Sequence, residues 1–124
     1  MPTVLIVDDS TVVRGRLTSM LEEVPGVTVV GGAGTVKTAK AALRRLNPDV
    51  MVLDLHLPDG NGIDLLHHIA RRARRPRVIV LTNLPDAQYR DACMEAGAEL
   101  FLDKSTEFEK VAEALRRRRG RKGP

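Results

Sequence analysis

Residues 4–10 read VLIVDDS, an apolar run rich in β-branched residues that ends in two adjacent aspartates, Asp8 and Asp9. The same design, a strand-like run followed by a polar residue, recurs in VMVLD (50–54), VIVLT (78–82) and LFLDK (100–104). In a parallel sheet the carboxyl ends of the strands line one edge, so residues far apart in sequence meet there. The pattern therefore predicts one shared site at that edge. Its members are Asp8, Asp9, Asp54, Thr82 and Lys104.

The residue types of this predicted site indicate phosphate chemistry. Three carboxylates that are packed together repel one another and resist ionising together unless a cation joins them. Ligands that are all oxygen suit Mg²⁺. A bound cation could hold an incoming phosphoryl group against Asp54, with one hydroxyl and one ammonium group facing it.

Strand-like runs alternate with amphipathic stretches along the whole chain. The runs are apolar on both faces, which is typical of a buried parallel sheet. Helices between such strands, joined by right-handed crossovers, give a doubly wound α/β fold with helices on both faces of the sheet. The predicted strands are 4–7, 27–30, 50–53, 78–81 and 100–102. The first predicted helix begins at Ser10 or Thr11 and ends at Pro25, and the second runs from Val36 to Leu46. The third, fourth and fifth cover about 63–72, 86–96 and 108–115.

Length and composition limit the class of protein. A chain of 124 residues is expected to form one domain with one core. The single cysteine, Cys93, excludes an intramolecular disulfide, and no apolar stretch is long enough for a membrane span, so a cytoplasmic location is expected. Six of the 20 basic residues lie in 116–124, while the remaining 14 accompany 16 acids. We therefore predict a domain over 1–118 and a basic, flexible tail over 119–124.

The site pattern resembles the receiver domain of response regulators in two-component systems. The resemblance rests on the five site residues, on LPDGNG (57–62) after Asp54, and on AGA (96–98) before the last strand, and it covers the chain to about Leu115. It implies the flavodoxin-like, five-stranded parallel sheet in the order 2-1-3-4-5. It also implies a chain that is not an enzyme, apart from self-catalysed phosphotransfer and dephosphorylation.

The resemblance assigns the acidic residues to metal binding and phosphate acceptance. Asp54 would be the phosphoacceptor, attacking a phosphohistidine on a sensor histidine kinase or a histidine phosphotransfer protein. Asp9, Asp54 and the backbone carbonyl of His56 would bind Mg²⁺, with Mn²⁺ as a substitute. Asp8 would act mainly through a coordinated water.

The resemblance also implies a switch. Lys104 and the Thr82 hydroxyl would contact the phosphoryl group, and the aromatic position, occupied by Phe101, would turn inward. The changed face would be made by the fourth helix, the fifth strand and the fifth helix. Its partner would be a downstream effector protein or an output domain, or a second copy in a phosphorylation-dependent homodimer.

The sequence departs from many family members near the switch. Ser105 follows Lys104 where many receivers have proline, and Phe101 stands in place of tyrosine. His56 and Leu84 occupy positions that tune the lifetime of the phosphate in the family.

Gly31-Gly32-Ala33-Gly34 lacks the lysine of a phosphate-binding loop, so we predict a flexible connection there.

Two other functions compete with the receiver. An aspartate-nucleophile phosphohydrolase would share the fold class and Mg²⁺, but such enzymes favour an Asp-x-Asp motif after the first strand, which this chain lacks. A basic adaptor that needs no phosphorylation would use the runs 71–77 and 116–122. These runs lack interleaved aromatic residues for base stacking, so nucleic-acid binding by the domain itself is not expected. Taken singly, Asp8 and Asp9 could also simply cap a helix.

Overall fold

The fold is an α/β sandwich built on a parallel sheet. A computed structural model describes residues 2–83 and 86–120. The described residues form a five-stranded sheet in the order β2-β1-β3-β6-β7, and they form a separate short antiparallel ribbon, β4-β5. The strands are β1 Thr3–Val7, β2 Thr28–Ala33, β3 Val50–Leu53, β4 His56–Leu57, β5 Gly60–Asn61, β6 Arg77–Thr82 and β7 Leu100–Asp103. The helices are α1 Thr11–Glu22, α2 Val36–Leu46, α3 Gly62–Ala70, α4 Ala87–Glu95 and α5 Lys110–Gly120.

The main sheet confirms the predicted topology. When its strands are counted without the short ribbon, β6 is the fourth and β7 the fifth, so the order is 2-1-3-4-5. Every pair of neighbouring strands in this sheet is parallel. The crossovers between parallel strands are made by helices, as this type of pairing requires.

Both faces of the sheet are buried, which explains why its strands are apolar at both odd and even positions. Successive strand residues point to opposite faces. Leu5 and Val7 lie in a core with residues of α2, α3 and α4, whereas Val4 and Ile6 lie in a second core with residues of α1 and α5. The helices are thus divided between the two faces.

Local caps set the ends of the first two helices. The Ser10 hydroxyl accepts a hydrogen bond from the Val13 N–H at 3.1 Å, which makes Ser10 the N-cap of α1. Thr35 and Thr38 form a capping box at the start of α2, and Asn47 ends that helix in the left-handed conformation with φ 45°. The start of α1 and both ends of α2 agree with the prediction, whereas α1 ends at Glu22, before the predicted end at Pro25.

The glycine-rich segment after the second predicted strand is not a flexible connection, and that prediction was wrong. Strand β2 continues to Ala33, and Gly31, Gly32 and Ala33 pair with Leu5, Ile6 and Val7 of β1. The register shifts between Val4 and Leu5, so that Val4 pairs with Val29 and Leu5 pairs with Gly31. Glycine weakens a strand taken alone, but pairing with a central strand overrides this local preference.

The carboxyl end of the chain is described as helix as far as Gly120. This limit lies two residues beyond the boundary expected for the domain. Residues 121–124 of the expected tail lie outside the described part of the chain, as does Leu84. Among the described residues there is no helix of sufficient length and apolar character to cross a membrane.

The ribbon that follows β3 brings the chain back against Asp54. Its two strands pair His56 with Asn61 and Leu57 with Gly60. The Gly62 N–H then donates to the Leu55 carbonyl at 2.9 Å. A Cβ at residue 62 would lie 2.8 Å from the Leu55 Cα and 2.9 Å from the Asp54 carbonyl oxygen, so only glycine fits there.

We predict that Gly62→Ala destabilises the fold by about 1–3 kcal/mol, because the added methyl group meets backbone atoms that must shift. The free energy of unfolding, measured by urea denaturation, checks this. Gly15→Ala is the matched control, since a Cβ there has nothing within 4 Å. In the middle of α1 it should stabilise by about 0.5–1 kcal/mol. Equal stability of Gly62→Ala and the parent protein would contradict the close-approach argument.

Candidate functional site

The five predicted site residues lie at one edge of the sheet, as expected. Asp8 and Asp9 follow β1, Asp54 follows β3, Thr82 ends β6 and Lys104 follows β7. These four strands are consecutive neighbours in the sheet. The segments beyond the strand ends are tied together by backbone hydrogen bonds, from the Asp54 N–H to the Val7 carbonyl at 2.9 Å and from the Lys104 N–H to the Thr82 carbonyl at 2.8 Å.

Lys104 joins two of the carboxylates. Its Nζ lies 2.7 Å from Oδ2 of Asp8 and 3.3 Å from Oδ2 of Asp54. The side chain of Lys104 is 12% exposed, that of Asp8 3% and that of Asp54 7%. Charges this far removed from water need partners of opposite sign. Here the Lys104 ammonium balances part of the charge of the two carboxylates, and they balance the charge of the lysine.

Burial raises the pKa of the Asp54 carboxyl above its ordinary value, and the charge of Asp8 adds to this effect, although the Lys104 ammonium opposes it. Burial would by itself lower the pKa of Lys104. The hydrogen bond to Asp8 and the charges of Asp54 and Asp8 outweigh burial, so the pKa of Lys104 is raised. The lysine therefore stays positively charged, whereas the negative charge of the Asp54 carboxylate is only partly balanced by neighbouring positive charge.

The acidic residues fit a divalent cation. Asp8, Asp9 and Asp54 each offer a carboxylate oxygen, and these atoms lie within 4.8 Å of one another. Asp9 is exposed, so the cluster is reached from solvent, whereas Asp8 and Asp54 are buried. Oxygen-only donors are the set that Mg²⁺ prefers.

Backbone groups orient the two buried carboxylates. The His56 N–H lies 3.3 Å from Oδ1 of Asp54, and the Ser10 N–H donates to Oδ1 of Asp8 at 2.9 Å. The side chain of His56 is exposed. The His56 backbone N–H thus lies beside Asp54, while the predicted role of the His56 carbonyl as a metal ligand stays a prediction.

The two residues assigned to the switch are both buried. Thr82 has no exposed surface, and Phe101 is 4% exposed. The ring of Phe101 already lies in the core that α4 covers, and the guanidinium carbon of Arg90 on α4 is 5.4 Å from the ring centroid. Sequence reasoning missed Arg90, because nothing in the sequence shows which strand residue a helix residue faces.

Arg14 is a second neighbour of the site that the sequence did not identify. Its Nη1 donates to the backbone carbonyl of Asp8 at 2.5 Å. Gly32 and Gly34 leave space beside Arg14, but the sequence does not show that this helix residue faces them.

Asp59 ties the segment after Asp54 to the next helix. Its carboxylate accepts hydrogen bonds from the N–H groups of Val36 at 2.7 Å and Lys37 at 3.1 Å, at the start of α2. These two backbone donors lower the pKa of the exposed Asp59 carboxyl. The bonds connect the loop between β4 and β5 to the amino end of α2.

The basic run 71–77 is partly neutralised within the fold. Arg77 forms a bidentate ion pair with Glu99, and Arg74 lies 3.9 Å from Asp49. The run 116–122 extends beyond the described side chains, which end at Arg116.

The sequence model of the response regulator receiver domain matches residues 4–116 of this chain. The chain belongs to this receiver family. It is similar to a protein-glutamate methylesterase/protein-glutamine glutaminase of Rhizobium johnstonii, with 44% identity over 79 residues, which are 64% of this chain and 23% of that protein. It is also similar to the DNA-binding transcriptional activator DevR/DosR of Mycobacterium tuberculosis, with 37% identity over 94% of this chain and 54% of that protein.

Solved structures agree with this membership. The response regulator domain of Thermotoga maritima CheB is 31% identical, with a TM-score of 0.83 over 95% of this chain and 92% of that one. The receiver chain thus spans most of that isolated domain, but it spans only about a quarter and about a half of the two curated relatives.

We predict that Asp59→Ala lowers the stability of the receiver at neutral pH, because two backbone donors at the start of α2 lose their partner. The folded pKa of Asp59 lies below its ordinary value of 3.8. The stabilisation is therefore present above that value and is lost as the pH falls through the folded pKa. Urea denaturation over a pH series checks this, with Asp64→Ala as the control for loss of an exposed carboxylate. A gap between Asp59→Ala and the parent that persists unchanged in acid would refute the assignment.

Proposed function

We propose that Asp54 is the phosphoacceptor of this receiver in a two-component phosphorelay. The observation that carries the proposal is the contact of one lysine ammonium with both Asp8 and Asp54, beside an exposed Asp9. The donor would be a phosphohistidine on a sensor histidine kinase or on a histidine phosphotransfer protein. The reaction would take place in the cytoplasm, a location that the lone, buried cysteine supports.

Asp9, Asp54 and the backbone carbonyl of His56 would hold Mg²⁺, with Mn²⁺ as a substitute, and Asp8 would act through a coordinated water. The spacing of the three carboxylates supports this assignment. When bound, the cation offsets the negative charge that a phosphoryl group brings to an already acidic site.

The proposed transfer requires little from the protein beyond position and charge. An oxygen of the Asp54 carboxylate attacks phosphorus, the bond between phosphorus and the histidine nitrogen breaks, and the freed nitrogen keeps the electron pair. The product is an acyl phosphate on Asp54. Lys104 and the Thr82 hydroxyl would stabilise charge on the phosphoryl oxygens.

Phosphorylation would change the face made by α4, β7 and α5. The phosphoryl group draws Lys104 and Thr82 toward itself. Lys104 follows β7, a strand of this face, and Thr82 ends β6, which pairs with β7. Because the Phe101 ring is already buried, we propose that phosphorylation favours this inward position over an outward one. Ser105 after Lys104 would let the loop adjust there.

The output would lie in another protein or domain. We propose binding to a downstream effector protein, to an output domain or to a second copy of the receiver in a phosphorylation-dependent homodimer. The relatives include a methylesterase and a DNA-binding activator, so receivers of this kind serve different outputs. The receiver itself would turn over no substrate apart from self-catalysed phosphotransfer and dephosphorylation. The family match favours neither a phosphohydrolase nor a phosphorylation-independent adaptor.

We predict that Asp54→Ala abolishes Mg²⁺-dependent labelling by a small acyl phosphate, because the carboxylate proposed to accept the phosphoryl group is removed, while Asp8 remains paired with Lys104. The mass of the intact protein checks this: the parent should gain one phosphoryl group and the variant none. Asp64→Ala removes an exposed aspartate of α3 and should be labelled like the parent. Undiminished labelling of Asp54→Ala would place the phosphate elsewhere.

We predict that Lys104→Ala still binds Mg²⁺ but no longer switches. The three carboxylates remain and a competing positive charge is gone, but the link from the phosphoryl group to β7 is lost. Backbone amide NMR shifts of α4, β7 and α5, recorded with and without beryllofluoride and Mg²⁺, check this. Lys37→Ala, which removes an exposed lysine of α2, is the control. Parent-like shifts in Lys104→Ala would contradict the role of the lysine.

A further inference from the structure

Arg14 reaches from α1 to the backbone of the acidic pair. Its side chain is half-buried, and its Nη1 donates to the Asp8 carbonyl oxygen at 2.5 Å, in a contact that spans six residues. That carbonyl belongs to the peptide group joining Asp8 to Asp9. A peptide group is planar, so holding its oxygen also fixes its orientation and the direction in which the chain enters Asp9.

Glycines on β2 and after it leave room for this arginine. A Cβ on Gly32 would lie 3.1 Å from Cδ and 3.3 Å from Nε of Arg14. A Cβ on Gly34 would lie 3.3 Å from Nη1 of Arg14 and 3.7 Å from the Cα of Asp9. The glycines at these two positions thus allow Arg14 to lie flat against β2 and reach the acidic loop.

Other contacts already hold Asp8 from several directions. Its N–H donates to the Ala33 carbonyl at 2.9 Å, and its carboxylate accepts from the Ser10 N–H and from Lys104. The Arg14 bond acts on the last free part of the same residue, the carbonyl that leads into Asp9. Because Asp9 is exposed, packing does little to orient it, and its backbone direction becomes decisive.

We propose that Arg14 is a positioning residue for the metal site: it orients the Asp8–Asp9 peptide group so that the Asp9 carboxylate points at the cation. This role rests on the proposed function, since it requires Asp9 to be a metal ligand. Groups that orient metal ligands without touching the metal typically contribute 10–100-fold in metal affinity.

The sign of the effect separates positioning from simple charge. The guanidinium is positive and lies near the acidic cluster, so as a charge alone it opposes cation binding. If charge were its only contribution, Arg14→Ala would bind Mg²⁺ more tightly than the parent. Positioning predicts the opposite, a loss of affinity when the arginine is removed.

The first experiment titrates Mg²⁺ into the full, unphosphorylated chain by calorimetry. Arg14→Ala should bind Mg²⁺ roughly tenfold more weakly than the parent. Arg16→Ala is the matched control: it removes the same charge from the same helix, from a side chain that stacks on Phe108. Arg16→Ala should bind Mg²⁺ like the parent. Unchanged or tighter Mg²⁺ binding by Arg14→Ala would overturn the proposal.

The second experiment moves the arginine without removing it. Gly32→Val is compatible with a strand and displaces the Arg14 stem while the charge remains. It should weaken Mg²⁺ binding severalfold in the parent but have no further effect in the Arg14→Ala background, since the two changes act through one contact. An equal loss in both backgrounds would refute the link. If Arg14→Ala does not fold, the Mg²⁺ affinity of Gly32→Val, compared with that of the Gly15→Ala control, tests the proposal instead.

The two proposals fail in different ways. If the parent accepts phosphate on Asp54 and binds Mg²⁺, and Arg14→Ala binds it equally well, only the role of Arg14 falls. If the parent does not bind Mg²⁺ at all, the metal site falls, and the role of Arg14 falls with it.

Discussion

The ammonium group of Lys104 between Asp8 and Asp54 is the interaction on which the arrangement of the site depends. Both carboxylates are almost fully removed from water, and the lysine is nearly so. Breaking such a buried pair leaves an uncompensated charge, which is strongly destabilising. The site therefore exists only where the ends of β1, β3 and β7 are held together.

The sheet meets this requirement through its strand order. Adjacent strands lie about 4.8 Å apart, so the ends of β3 and β7, which are separated by β6, are roughly 10 Å apart. A short polar side chain could not cross this distance. The long side chain of a lysine can cover part of it. The two cores on either side of the sheet hold the strands in register, and the polar edge follows from that register.

A layer of contacts behind the charged groups gives the loops their shape. Gly62 lets the chain return directly against the Asp54 backbone, Asp59 joins the same loop to the start of α2, and Arg14 reaches the Asp8 carbonyl. None of these residues belongs to the acidic cluster. They act on the backbone that carries it, which is why the geometry of the cluster depends on residues from several elements.

The sequence by itself determined the fold class, the placement of five residues at the sheet edge, the start of α1 and the bounds of α2, because apolar periodicity and helix-capping residues are local properties of the chain. The structure confirmed each of these. Gly31 to Ala33 were misjudged, since pairing with β1 made a strand of a segment whose glycines favour a loop. The contacts of Arg14 and Arg90, and the burial of Phe101, were decided only by tertiary structure. They depend on which face of one element meets another, and periodicity shows that a face is buried but not which residue lies opposite.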